Sequence, residues 1–188
     1  MRAPLLTALL LVPGIAFAHA GLVHSGLLAG LAHPVSGLDH VIAMLAVGVW
    51  ASQLGRQALW LLPATFVLVM ALGGALGAIG IALAGVEAGI VASAFALCAL
   101  VACAARPLPG IAAALVAVFA VFHGHAHGAE LPESASAFAY SLGFVTTTFL
   151  LHLSGIALGA ASRAYLARRR AEESDLAPGL EHHHRHRV

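Results

Sequence analysis

The sequence predicts an all-α polytopic membrane protein, a bundle of about five transmembrane helices after a cleaved signal peptide. Three observations predict it. Of 188 residues, 61% are hydrophobic and 9% charged, with a mean hydropathy of +0.95, against roughly 25% charged residues in soluble domains. Five apolar segments, at about 37–55, 58–84, 87–105, 108–127 and 135–162, are each long enough to cross a hydrocarbon core. Finally, the arginines alternate between connections as an odd number of spans requires.

At the N-terminus, Arg2 is followed by an apolar stretch from Leu5 to Ile15 and then Ala16-Phe17-Ala18, the small-x-small pattern of a secretory cleavage site. The sequence thus divides into a signal peptide at 1–18, a membrane domain at 19–170 and a polar tail at 171–188. Cleavage after Ala18 would place a free amine and an imidazole together on His19; the alternative is an uncleaved signal anchor.

Arg56 follows the first segment, Arg106 the third, and Arg163 with Arg168, Arg169 and Arg170 the fifth, whereas the connections around Gly85 to Glu87 and His125 to Ser134 hold no Arg or Lys. The positive-inside rule then sets the mature N-terminus in the periplasm and the C-terminus in the cytoplasm of a bacterial inner membrane. Gly73, Gly74 and Gly77 on the second segment and Gly155 and Gly159 on the fifth suit close helix packing. Cys98 and Cys103 fall inside an apolar run, where a buried thiol behaves as a small hydrophobe, and neither a disulfide nor a metal is assigned to them. The tail, ending in His182, His183, His184 and His186, reads as a flexible cytoplasmic appendage. Its histidines suit weak metal capture, and Leu180-Glu181 before them equally resembles the scar of an expression tag.

Ionisable residues inside a membrane are expensive and mark function. His33, Asp39 and His40 open the first segment, in His33-Pro34-Val35-Ser36-Gly37-Leu38-Asp39-His40; His123, His125, His127 and Glu130 close the fourth; Glu87 opens the third. All three places fall at the outer face. Imidazole with carboxylate and no cysteine suits nickel, cobalt, zinc or copper and disfavours a soft monovalent ion. On a helix His123, His127 and Glu130 form one stripe at i, i+4 and i+7, with His125 pointing elsewhere. Seven residues separate His33 from His40 by about 10 Å on a regular helix, too far for one ion. They are therefore successive stations, or Pro34 and Gly37 break the helix and return His33 toward Asp39 and His40.

Other readings stand beside these. Met44, on the face of His40, offers a thioether but more readily packs in a core. Glu87 also suits a helix N-terminus as a dipole-compensating acid. His152, near Thr146, Thr147 and Thr148, is an inner station or, with slight preference, a helix-to-helix hydrogen bond. His19 and His24 would collect ions at the mouth.

These residues resemble the HupE/UreJ family of nickel and cobalt permeases, through His33 to His40 with Met44 and Val47-Gly48-Val49-Trp50-Ala51, and through Phe122-His123-Gly124-His125-Ala126-His127-Gly128 with Glu130. The resemblance implies secondary uptake of nickel, with cobalt second, for metalloenzymes such as hydrogenase and urease. By residue it points to His33, Asp39, His40, His127 and Glu130, and less directly to Phe66 and Glu87. The metal is cargo, no permanently bound cofactor is expected, and the partners are the divalent ion and the lipid bilayer, with a homo-oligomer left open. The ion would pass between the first, second and fourth segments, and proton competition at His and carboxylate would weaken uptake at low pH.

No Lys occurs anywhere, so there is no Walker-type phosphate loop, and the arginines make no nucleic-acid footprint. A membrane metallohydrolase would use similar clusters, but no His-Glu-x-x-His supports it. A haem carrier needs axial histidines facing across helices, whereas these gather at one face.

Overall fold

The computed structural model describes residues 26–131 and 136–184, with side chains of the last helix through 174. Six helices follow one another: α1 (Gly26–Ser36), α2 (Leu38–Leu54), α3 (Ala58–Ala78), α4 (Val86–Ala102), α5 (Pro109–Ala129) and α6 (Ala137–His184). No strand occurs among the described residues. The signal peptide, His19 and His24 lie outside them.

Three helices, α3, α5 and the part of α6 through Ser174, are long and apolar enough to span a membrane on their own, and α1 with α2 forms a fourth, broken span bent by 82°. At 17 residues α4 is shorter, at the lower end of the spanning range. These elements coincide with the five expected segments but correct them in three ways. The first segment is preceded by α1, a helix the hydropathy reading did not separate. The second ends at Ala78, six residues early, where Gly80 and Gly85 take positive φ values of 78° and 72° in the turn to α4, a conformation glycine adopts without steric cost. The last helix runs on to His184 instead of giving way to a flexible tail.

Large apolar side chains cover the outside, and polar groups are held within an otherwise apolar core. Leu68 and Leu72 are each 66% exposed and Phe138 80%, while His40, Ser93, His123, Thr148 and His152 are buried. Water would penalise that outer surface at about 25 cal/mol per Å² of apolar area; acyl chains do not. The chain is a multi-pass membrane protein. Cys98 and Cys103 are free and exposed on this outer surface, not buried as expected.

Without a hydrophobic force between helices in lipid, packing depends on close approach. α3 lies along α5, and α1 and α2 lie along α6. At the first seam a Cβ on Gly124 would collide with the Met70 carbonyl and one on Gly128 with the Gly74 carbonyl, and Gly73 and Gly77 answer from α3. At the second, Gly48 and Gly155 bring α2 and α6 together, and Gly30 and Gly143 do the same for α1 and α6. The expected packing role of Gly73, Gly77 and Gly155 thus extends to the glycines inside the histidine motif. At the far end, the Trp50 indole donates to the Ala105 carbonyl at 2.9 Å, and Arg163 donates to Ser52 Oγ at 2.7 Å.

Gly124→Ala, which forces a methyl group into the α3 backbone, is expected to cost about 1–3 kcal/mol. Gly110→Ala, in open space, is the control. Thermal unfolding of both purified variants in detergent checks the difference.

Candidate metal site

The spacing of α5 decides which side chains converge. Successive residues on a helix turn by about 100°, so the stripe His123–His127 runs directly beside the stripe Gly124–Gly128. The glycines are committed to α3; the two imidazoles therefore face α2, α4 and α1.

On α2 the answering residue is His40, buried near the helix start. His123 Nδ1 lies 3.1 Å from His40 Nε2, and His127 Nε2 also meets His40 Nε2, in a short contact. Ring centroids stand 4.4 Å (His40–His123) and 4.1 Å (His40–His127) apart, edge-on. The far side of His123 settles its tautomer. Ser93 Oγ donates to the Ile90 carbonyl at 2.6 Å and so accepts from His123 Nε2–H at 2.7 Å. His123 Nδ1 then carries a lone pair aimed at His40. His123 Nδ1 and His127 Nε2 thus both approach the single Nε2 of His40, which can donate to only one of them. Between neutral rings at most one of these two contacts is a hydrogen bond, an imbalance that a cation relieves, and a partner that orients the ring, as Ser93 orients His123, is what ligating histidines ordinarily have.

A second group lies against the other edge of His127. The break at Gly37, which is extended at φ −107° and ψ 122°, turns α1 so that His33 reaches α5. His33 Nε2 stands 3.3 Å from Glu130 Oε2, and His127 Nδ1 is 3.8 Å from the same oxygen. His33, His127 and Glu130 each offer a ligand atom within 4.8 Å of the others. This group is more open than the first: Glu130, just past the end of α5, is exposed. The hydrogen bond from His33 is the main cause that holds the Glu130 carboxyl below its ordinary range, with burial opposing and the charges of His33 and His40 adding to it. His127 belongs to both groups, Nε2 turned to the inner trio and Nδ1 to the outer set.

Of the residues singled out in the sequence, His33, His40, His123, His127 and Glu130 come together. The helix break does occur, but it delivers His33 to His127 and Glu130, not back to Asp39. Asp39 is exposed and folds onto its own helix start, accepting from the His40 backbone N–H at 2.9 Å; it stands outside both ligand groups. Glu87 is exposed in the first turn of α4 and also stands apart, which fits a dipole-compensating acid. His125 points elsewhere as expected, its Nε2–H donating to the Ile81 carbonyl at 2.6 Å. Met44 is fully buried in the apolar core with Val47 and Trp50. Phe66 is also fully buried, its ring 5.8 Å from His123 and 5.2 Å from His152. The preferred reading of His152 as a helix-to-helix hydrogen bond is corrected, because neither ring nitrogen has a partner among the described residues.

Sequence reasoning missed Ser93, Tyr140 and Phe144. The Phe144 ring lies 4.5 Å from His127 and 6.0 Å from His33, and Tyr140 lies 5.8 Å from His33. A signal for the last two was available: Tyr140, Phe144, Thr148 and His152 recur every fourth residue on one face of α6. Ser93, a lone hydroxyl in an alanine-rich run, carried none.

The family profile described as HupE / UreJ protein matches residues 7–174. Protein HupE of Rhizobium leguminosarum bv. viciae is 51% identical over 151 residues, covering 80% of this chain and 79% of that protein. No solved structure matches the chain.

Ser93→Ala removes the acceptor that fixes the His123 tautomer without touching a ligand atom. It is expected to weaken binding of a divalent transition metal by roughly 10-fold or more, measured by equilibrium titration of the purified protein.

Proposed function

The chain belongs to the HupE/UreJ family, and from that premise we propose that it is a permease carrying a divalent transition metal, nickel first and cobalt second, across the bacterial inner membrane. The observation that carries this reading is the gathering of ligand groups at one end of a membrane bundle: His33, His127 and Glu130 offer atoms within 4.8 Å of one another, and His40, with His123 behind it, lies against the inner edge of His127. Nitrogen and oxygen donors without thiolate match the borderline ions of the first transition row, among which nickel binds more tightly than cobalt at such sites.

In this reading the histidine end faces the periplasm, because Arg56 and Arg106 lie in the connections at the opposite end and Arg163 lies far along α6 on that side, where positive charge marks the cytoplasm. A hydrated ion is captured at the mouth, with His19 and His24 assisting, and the Asp39 and Glu130 carboxylates supply negative charge there. His33, His127 and Glu130 take the ion first and exchange some of its water. The buried trio takes it next, where no carboxylate is present and the ion sheds further water. No chain feature supports ATP hydrolysis, so a gradient, the membrane potential or trapping inside the cell drives the transfer, and the cargo supplies metalloenzymes such as hydrogenase or urease. The metal is cargo, and the chain is not an enzyme in this reading.

The test is uptake of radioactive nickel at sub-micromolar concentration into cells lacking their own importers. Uptake is expected from the intact protein and is expected to fall at least 10-fold in His127→Ala and in His40→Ala at equal membrane expression. No uptake of nickel or cobalt by the intact protein would sink the proposal. Because protons compete with the ion at imidazole, the rate is also expected to decline as pH is lowered from about 8 to about 5. Glu130, held ionised by His33, contributes little to that decline. A flat profile over the same range would count against ligation by histidine.

A further inference from the structure

Beyond the histidine cluster, the described interior holds another polar place, between α3 and α6. His152 is fully buried, and neither Nδ1 nor Nε2 has a hydrogen-bond partner among the described residues. Thr148, one turn earlier on the same face of α6, is also fully buried with its hydroxyl unpartnered. An unpaired imidazole and an unpaired hydroxyl one helical turn apart bear the full desolvation penalty with no bond in return. A leucine and a valine would pack there at less cost, so packing alone does not explain the pair.

Their position relates them to the histidine cluster. Tyr140 and Phe144, which flank His33 and His127, head the α6 stripe that continues inward to Thr148 and His152. The Phe66 ring from α3 sits between the two polar places, tilted against His123 at 5.8 Å and edge-on to His152 at 5.2 Å. On the other side, α2 closes the site: a Cβ on Gly48 would strike the His152 carbonyl. His152 therefore faces the interior, not the bilayer.

We propose that His152 and Thr148 form an inner, weaker station for the partly hydrated divalent cation, with the Phe66 ring as the apolar partition between it and the histidine trio. This rests on the permease reading. One imidazole and one hydroxyl, without a carboxylate, bind a divalent ion more weakly than three imidazoles. A place that must release cargo needs that inequality, since conduction requires sites weak enough to leave. The chemistry selects a cation that accepts a nitrogen ligand while keeping water in its remaining positions, which fits nickel and cobalt better than magnesium or calcium.

The experiment uses the full chain in lipid nanodiscs for binding and in proteoliposomes for uptake. Cobalt is titrated in while its visible ligand-field spectrum and its bound stoichiometry are followed. The unaltered chain is expected to show a tight phase and a separate weaker phase. His152→Phe should keep the tight phase, lose the weaker one and transport at least 10-fold more slowly, with no loss of thermal stability. Thr148→Val, a near-isosteric change, should weaken the second phase several-fold. His152→Phe or, where that variant does not fold, Thr148→Val with both phases and the full uptake rate intact would overturn the inner station while leaving the permease reading in place. Absence of any metal binding by the unaltered chain would overturn both.

Discussion

The backbone contact between α3 and α5 is the constraint on which the rest of the site depends. Gly124 and Gly128 let α5 lie against the carbonyls of Met70 and Gly74, and that seam fixes the rotation of α5 about its own axis. Once the glycine edge is committed, His123 and His127 have only one direction to face, and His40, Ser93 and His33 are met there. The motif His-Gly-His-Ala-His-Gly is therefore two interleaved patterns. One edge is a packing surface, the neighbouring edge carries the two imidazoles that meet His40, and His125 is the residue left over, used to hold the turn after α3.

The second constraint is the solvent. A bundle in water could not leave Leu68, Leu72 and Phe138 outside while burying histidines within. In a bilayer the apolar exterior costs nothing, and the interior becomes the costly place for a polar atom. Most interior polar groups meet that cost with a bond: Ser93 to Ile90 and His123, Thr147 to the Leu31 carbonyl at 2.8 Å, Gln53 Nε2 to Val101 at 3.2 Å. Each group left without one forfeits about 1–3 kcal/mol. Apart from Gln53 Oε1 on α2, the exceptions among the described residues lie along α6 and at the histidines, which is where polarity retained against that cost points to a ligand.

Much of this was legible in the sequence, for reasons that differ by element. Hydropathy located α2 to α6 because span length is set by the bilayer, and the i, i+4 spacing of His123 and His127 placed them on one face because helix periodicity is local. The break near Gly37 was also legible as a break. Its direction was not, since a single extended residue turns the chain through an angle that only the neighbouring helices determine, so neither of the two readings, successive stations or a return of His33 toward Asp39 and His40, contains the contact with His127. Asp39 and Glu87 are each an acid at a helix start at the same end of the bundle as the histidines. Such a position suits a ligand and the helix dipole equally well, and local sequence does not distinguish the two. Ser93 was invisible because its importance lies wholly in another helix.

The two-edged contact of His127 has a chemical corollary. A neutral imidazole owns one lone pair and one N–H. With the proton on Nδ1, the lone pair belongs to His40 and His123; with the proton on Nε2, it belongs to His33 and Glu130. The ring cannot serve both sides at once without giving up its last proton, so the two groups are mutually exclusive claimants on a single electron pair. Under the permease reading, passing the ion from the outer group to the inner one therefore requires that proton to change nitrogens.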